Sequence, residues 1–445
     1  MSVVRYIGDR LMNAVANLGT PRDKASSSVY VPATMTYQEL LNAYRGAWLP
    51  RKIVDIPALD ATRKWRNWQG SADEITALEA EETRLQYREK VRKAKTAARL
   101  FGGSALYIGT GDANQSLPLD LGRIGRGGLR YLTPLAMRHL TAGEIERDPV
   151  AEGFGRPRDY TLTTSGRETV TIHPSRLALF YGAEIPGDGE WLGEGWGDSS
   201  LIAVMDAVRH ADSTSANVAS LVFEAKIDVI SIPGLSEMLS DARGESALAT
   251  RLTAAASMKG INGTVVIDGE ESYEQKSASF GTLPEVMDRF YQAVAGAADI
   301  PMTRLFGMSP AGLNATGDGD LKNYYDRIQA MQQLELQPAM ATLDEALIRS
   351  ALGTRPPELH YVWASLWQTS EKERADIGKI TAETVKVLKE SGLFPGEVLS
   401  KAGSNALIEG GALPGLEAAI EEFGLEVPED DPNDLEAAML PEGET

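Results

Sequence analysis

Apolar side chains recur every three or four positions late in the chain, at Leu321, Tyr324, Tyr325, Ile328, Met331, Leu334, Leu336, Met340, Leu343, Leu347 and Leu352. This is the period of an amphipathic helix. It predicts one rod, or two joined end to end, over 320–353, about 50 Å long at 1.5 Å of rise per residue. Pro338 lies inside the run, where its ring removes an amide donor and crowds the preceding turn, so a kink is expected there. Gly353 is placed to close the rod as a C-terminal cap. The segment in front, Ser309 to Gly319, is small, polar and rich in glycine, entered through the apolar Leu305 and Phe306. Composition alone reads it as a surface connection.

The same reading orders the rest of the chain. Residues 36–48 predict a helix with Thr36 as N-cap and Glu39 three residues on. Residues 72–100 predict helical structure, acidic early and basic late, which suits the helix dipole. From 101 to 181 the period shortens to two, and SALYIGT, LRYLTPL, RDYTLTT and ETVTIHP read as short strands. A turn-rich linker over 183–198 precedes a helical run from Ser199 to Ala225. Residues 226–280 shift to strand, helix, then strand and turn. Thr282, Leu283, Pro284 and Glu285 then open another helix as a capping box. Residues 370–402 predict one or two helices broken at Gly392 to Pro395, with an apolar stripe at Ile377, Ile380, Val385 and Leu388 that needs a partner.

Several stretches invite a chemical reading. Arg51, Lys52, Arg63, Lys64 and Arg66 interleave with Trp65 and Trp68. This composition suits base stacking. It equally suits tryptophans packed inside, with basic stems covering the rim and pairing with acids of a neighbouring subunit, and that reading is preferred. The run Gly122 to Gly128 lacks the spacing and the Lys-Ser/Thr ending of a phosphate loop and reads as a turn. The four histidines, His139, His173, His210 and His360, show no metal-pair spacing, and no nucleophile-elbow motif accompanies them. Asp318, Asp320 and Asp326 are the carboxylates that a metal-dependent nuclease or phosphotransferase would use, although Asp318 and Asp320 also suit the start of a helix.

Composition narrows the picture further. The formal charge is −19, and twelve acids with no base follow Lys401, so the end from Glu417 onward reads as a solvated, disordered tail. A protein that grips duplex DNA along a basic face releases counterions from phosphate; the overall balance shows no such excess. Without cysteine there is neither a disulfide nor a thiolate metal site, and synthesis in the bacterial cytoplasm is expected. No signal peptide and no apolar run near ~18 residues is read, so a soluble protein with no membrane partner is expected.

The run IPMTRLFGMSPAGLNATGDGDLKNYYDRI resembles the signature of bacteriophage portal proteins of the siphophage-like branch. Residues 40–68, 98–109, 172–182 and 362–377 agree with it, so the resemblance covers most of the chain outside the acidic end. It implies an α+β portal fold: a mixed α/β wing over 1–198, stem helices at 199–225 and 282–300, and a small α/β clip at 226–281. A tunnel loop at 301–319, a long kinked helix at 320–353, a wing return at 354–369, a helical crown at 370–416 and the acidic tail at 417–445 complete it. The function implied is a ring of twelve copies at one capsid vertex, through which double-stranded DNA passes without sequence specificity during packaging and ejection. The partners implied are further copies of the chain, the terminase large subunit, a head–tail adaptor, and the major capsid or scaffolding protein. The place implied is the virion, with assembly in the host cytoplasm. Ser309, Asn314, Ala315, Thr316 and Lys322 would face the DNA, Asn314 and Thr316 offering hydrogen bonds and Lys322 a charge. No catalytic residue, cofactor or metal is implied. The rival readings are another head–tail connector or minor head protein, and the nuclease above.

Overall fold

Thr36 opens the first helix, α1 (Tyr37–Gly46), with a reciprocal cap. Its amide donates to Glu39 Oε2 at 2.7 Å while the Glu39 amide donates to Thr36 Oγ1 at 3.3 Å. In this computed structural model the described residues are 34–151, 153–163, 169–186, 196–223, 226–231, 246, 248–250, 253, 272–277, 281–308, 317–367, 371–409, 411–413, 415, 416, 419, 420 and 424. The chain divides between Ala364 and Ser365 into two compact units.

Helix α2 (Trp48–Arg63) is the centre of the first unit, with Leu49, Ile53, Val54, Ile56, Ala58 and Ala61 all buried. Pro57 sits within it and has no amide to offer the Ile53 carbonyl. Arg99 replaces that donor, Nη2 reaching Ile53 O at 3.0 Å and Nε reaching Val54 O at 3.2 Å. The 72–100 stretch is two helices, α3 (Ala72–Leu85) and α4 (Tyr87–Phe101), separated by Gln86 in the left-handed region at φ 52°. Two charged, glutamine-joined helical patterns leave no mark of that break in sequence.

The period-two segments form strands. In one antiparallel sheet β2 (Gly103–Gly109) lies between β3 (Tyr131–Ala136) and β7 (Leu177–Tyr181), with Ile108 opposite Leu132 and Leu106 opposite Ala178. In a second, β4 (Leu140–Ala142), β5 (Tyr160–Thr163) and β6 (Thr169–Ile172) follow in order. Ala105, Leu140, Tyr160, Ile172, Leu177 and Trp196 make their shared core. The Trp196 ring lies so close to Gly103 that a Cβ there would sit 2.2 Å from it. A third pairing joins β1 (Arg66–Gln69) to β10 (His360–Trp363), almost three hundred residues apart in sequence.

Helices α5 (Met205–Phe223) and α6 (Leu283–Ala298) pack together, with Ser215 Oγ 3.1 Å from Tyr291 OH. Between them in sequence, β8 (Lys226–Ser231) pairs antiparallel with β9 (Ser272–Ser277). Two expectations change here. Turns occupy 200–204, so the first helix starts at Met205. The capping box at Thr282 does not form, because Thr282 is itself helical (φ −94°, ψ −8°) and its side chain accepts no amide.

The rod is helical from Asp318 to Leu352 and ends on Gly353 at φ 83°, as its pattern requires. The expected disturbance at Pro338 takes the form of a π turn, Gln332–Leu336, between α8 (Asp318–Met331) and α9 (Gln337–Leu352). The Gln337 amide reaches back to Gln332 O, and Pro338 falls in the first turn of α9, where an amide is not needed. The wide turn also shifts the apolar phase. Ile328, Gln332, Leu336, Met340, Leu343 and Leu347 are buried, whereas Leu334, counted in the stripe by simple periodicity, is 76 % exposed.

The second unit contains α10 (Glu371–Ser391) and α11 (Gly396–Glu409), which pack with Val385 against Gly403. Of the expected stripe, Val385 and Leu388 are partly covered and Ile377 and Ile380 are exposed. The end expected to be a disordered tail lies almost wholly outside the described residues.

Candidate functional site

In sequence, the glycine-rich loop lies between the short helix α7 (Met302–Leu305) and α8. Ser309, Asn314, Ala315 and Thr316 lie outside the described residues; Lys322 is exposed on the first turns of α8. What the structure describes is the base on which the loop stands.

That base is built on one carboxylate. Asp60, on the last turn of α2, has a side chain 1 % exposed. Arg304, before the loop, donates to it from Nε at 3.0 Å and Nη2 at 2.9 Å. Tyr324, after the loop, donates its hydroxyl to Asp60 Oδ2 at 2.9 Å, and Arg63 stands 3.2 Å from the other oxygen. The planar guanidinium fork matches the carboxylate geometry, so the pairing is directional as well as charged. Burial beside Asp60 holds the Tyr324 phenol far above its ordinary range, and it remains a donor. The hydrogen bonds from Arg304 to Asp60 raise the guanidinium likewise.

Further contacts fix the same corner. Lys52 Nζ donates to Leu305 O at 2.8 Å. Phe306 packs edge-on to Trp48 and against Tyr291 of α6, with ring centroids 5.8 and 4.8 Å apart. Gln332 Nε2 in the π turn donates to Ala61 O at 2.8 Å, so α2 is held by side chains from both sides of the loop. Arg327 pairs with Asp299 across the loop's two flanks.

The basic and aromatic stretch folds inward. Arg66 is the centre of it, its side chain wholly buried, with Nη1 2.6 Å from Asp344 and Nη2 2.8 Å from Glu82. Rings of Trp68, Tyr361, Tyr87 and Trp65 surround the guanidinium at 4.4 to 5.3 Å. Burial opposes the charge, but Asp344, Tyr87 and Glu82 outweigh it and hold the pKa well above the usual value. The expectation of acids supplied by a neighbouring subunit is therefore corrected for Arg66. Its partners come from α3 and α9 of the same chain, positions that sequence separation hid.

The remaining candidates resolve locally. His173 Nδ1 lies 2.8 Å from Ser175 Oγ and accepts the Ser175 amide, capping a short turn. The run Gly122–Gly128 turns against the end of α9, Gly127 N donating to Ser350 O at 2.8 Å. Asp320 and Asp326 are exposed on α8, and among the described residues no group of three His, Cys, Asp or Glu side chains is placed to hold a metal ion. No described helix is long and apolar enough to cross a membrane. Sequence reasoning missed Asp60, Arg304 and Tyr324. Their one signal is an acid, Asp60, within the apolar helical run IVDIPALDA.

A family model described as phage portal protein matches residues 38–387. The chain is 43 % identical over 431 residues to a protein named anti-CBASS protein Acb1 from Caulobacter sp. (strain RHG1), covering 94 % of this chain and 69 % of that one. It is 40 % identical to a protein of the same name from Sphingomonas paeninsulae, covering 95 % of this chain and 68 % of that one. Among solved structures, the neck of an empty gene transfer agent (GTA) particle computed with C6 symmetry matches at 15 % identity and TM-score 0.49, over 86 % of this chain and 99 % of that one.

Proposed function

From the premise that the chain belongs to the phage portal protein family, we propose that copies of it form a twelve-membered ring at one capsid vertex, the passage for double-stranded DNA in packaging and ejection. The observation that carries this reading is the shared hold on Asp60. A connection with no task needs no common anchor, yet here Arg304 and Tyr324 bind one buried carboxylate from the two sides of the loop. A footing held from both sides suits a loop that touches a sliding duplex weakly and repeatedly. In this reading Ser309, Asn314, Ala315, Thr316 and Lys322 face the channel, and residues 226–281 project to meet the terminase large subunit during packaging and the head–tail adaptor afterwards. The major capsid or scaffolding protein surrounds the ring. The subunit performs no bond chemistry.

The two anti-CBASS relatives extend beyond the matched segment by nearly a third of their length, and we place what that name denotes in that remainder. Removing residues 310–317 tests the main reading. Rings with a central hole should still form in electron micrographs while DNA packaging fails; normal packaging would remove the loop from the channel. A monomer in the unaltered protein would end the ring itself.

A further inference from the structure

In a chain of overall charge −19, one cluster of arginines stands out. It forms where the turn 122–130 meets the end of α9. Gly127 N donates to Ser350 O, Leu129 N donates to Ser350 Oγ at 3.0 Å, and Arg126 Nε donates to Leu352 O at 3.1 Å. Arg84 of α3 reaches the same turn, donating to Arg130 O at 3.4 Å and to Leu129 O at 2.5 Å. Arg349 and Arg355 stand on the α9 side, sharing Glu345 at 2.6 and 3.6 Å.

Six guanidinium groups thus stand near four carboxylates, each already engaged. Glu81 binds Arg84 and Ser350, Glu345 binds Arg349 and Arg355, Asp120 accepts the Gly122 amide, and Asp112, near enough to feel the Arg123 charge, binds Arg176. Arg123, Arg126 and Arg130 are exposed, and among the described residues none has a carboxylate within ion-pair distance. The negative end of α9 accounts for Arg126. It does not account for the other two. In a chain with 63 acids and 44 bases, three exposed arginines without a direct ion pair among the described residues on one nine-residue turn are charge that local pairing leaves unused.

We propose that Arg123, Arg126 and Arg130, displayed by this turn, form a contact surface for the phosphate backbone of double-stranded DNA, apart from the glycine-rich loop. The amides of Gly127 and Leu129 are taken by Ser350, that of Arg130 by Gly109 O, and those of Gly122, Arg123, Ile124 and Gly128 within the turn and the residues just before it, so the surface offers charge and guanidinium forks and no free backbone donor from these residues. That chemistry binds phosphate at any sequence. The inference rests on the proposal that the ring works against DNA, and it adds a second point of contact.

The test uses the full-length ring and a short mixed-sequence duplex, with affinity measured across a range of salt. In R123Q/R126Q/R130Q the slope of log K against log salt should shrink by about 3, one for each lost phosphate contact, with binding weakened about tenfold or more at low salt. R123K/R126K/R130K should keep most of the slope. The single variant R123Q, whose side chain makes no bond among the described residues, should shrink it by about 1 without altering the melting temperature. An unchanged slope in both glutamine variants would overturn the proposal. So would loss of rings in the glutamine triple variant alone, which would assign the surface to an acidic face of the neighbouring copy. Absence of rings in the unaltered chain would strike the proposed function, whereas rings with unaltered salt dependence would strike this inference alone.

Discussion

Arg304 and Asp60 are joined by two hydrogen bonds, of 3.0 and 2.9 Å, across 244 residues of sequence. Because Tyr324 meets the same carboxylate, the fold and the loop share one joint. Asp60→Asn keeps the shape and removes the charge, leaving Arg304 and Arg63 beside a neutral amide. A loss of about 2–4 kcal/mol in denaturant unfolding is expected, with faster proteolytic cutting between Met308 and Gly317. Unchanged cutting would show that the loop's ends are held by other means.

Arg66 should be far less tolerant of truncation than of exchange. Arg66→Ala leaves Glu82 and Asp344 partly buried without their cation and opens a space among four rings. That combination is expected to cost about 3–5 kcal/mol. Lysine keeps the charge but not the fork or the stacking, so Arg66→Lys should still lose about 1–3 kcal/mol in the same measurement. Equal stability of wild type and Arg66→Ala would contradict the account.

Lys95 supplies a pH dependence of definite sign. Burial lowers its pKa despite Glu335 at 2.5 Å. A base whose pKa is lower in the folded state binds fewer protons there than in the unfolded chain. Stability therefore rises as pH climbs from the folded value toward the ordinary lysine value of 10.5. In Lys95→Met that contribution disappears, and Glu335, half exposed, is released to water. The difference in melting temperature between wild type and variant should favour the variant at neutral pH and narrow at alkaline pH. A difference that widens would reverse the assigned cause.

Pro57 and Arg99 should show coupling. The Ile53 carbonyl that Pro57 cannot serve is served by Arg99. Arg99→Met is expected to cost about 1–3 kcal/mol through the unpaired carbonyls. Adding Pro57→Ala restores a helical donor, so the proline change should be more favourable in the Arg99→Met background than in wild type. Strict additivity in a double-mutant cycle would disprove the compensation.

Much of the fold was legible because local chemistry dictates it. Thr36 and Glu39 cap each other three residues apart, Gly353 takes a conformation that costs other residues more, and the period-two runs hold the strands at 103–109, 131–136, 160–163 and 169–172. The repeat from Leu321 to Leu352 became a continuous rod for the same reason, since neighbours along one face of a helix are close in sequence. The thirty-residue signature around the loop identified the family, which the match over 38–387 bears out.

Tertiary packing decided the rest. Whether Leu334 lies inside depended on a π turn that no short-range pattern records, and Arg66 found its carboxylates on α3 and α9 of its own chain. Asp60 gained its meaning only when folding brought Arg304 and Tyr324 to it from more than two hundred residues away. Capping and periodicity act between neighbours and can be read from letters in a row. Charge pairing in a dry interior acts between whichever groups the backbone brings together, and only the folded chain specifies them.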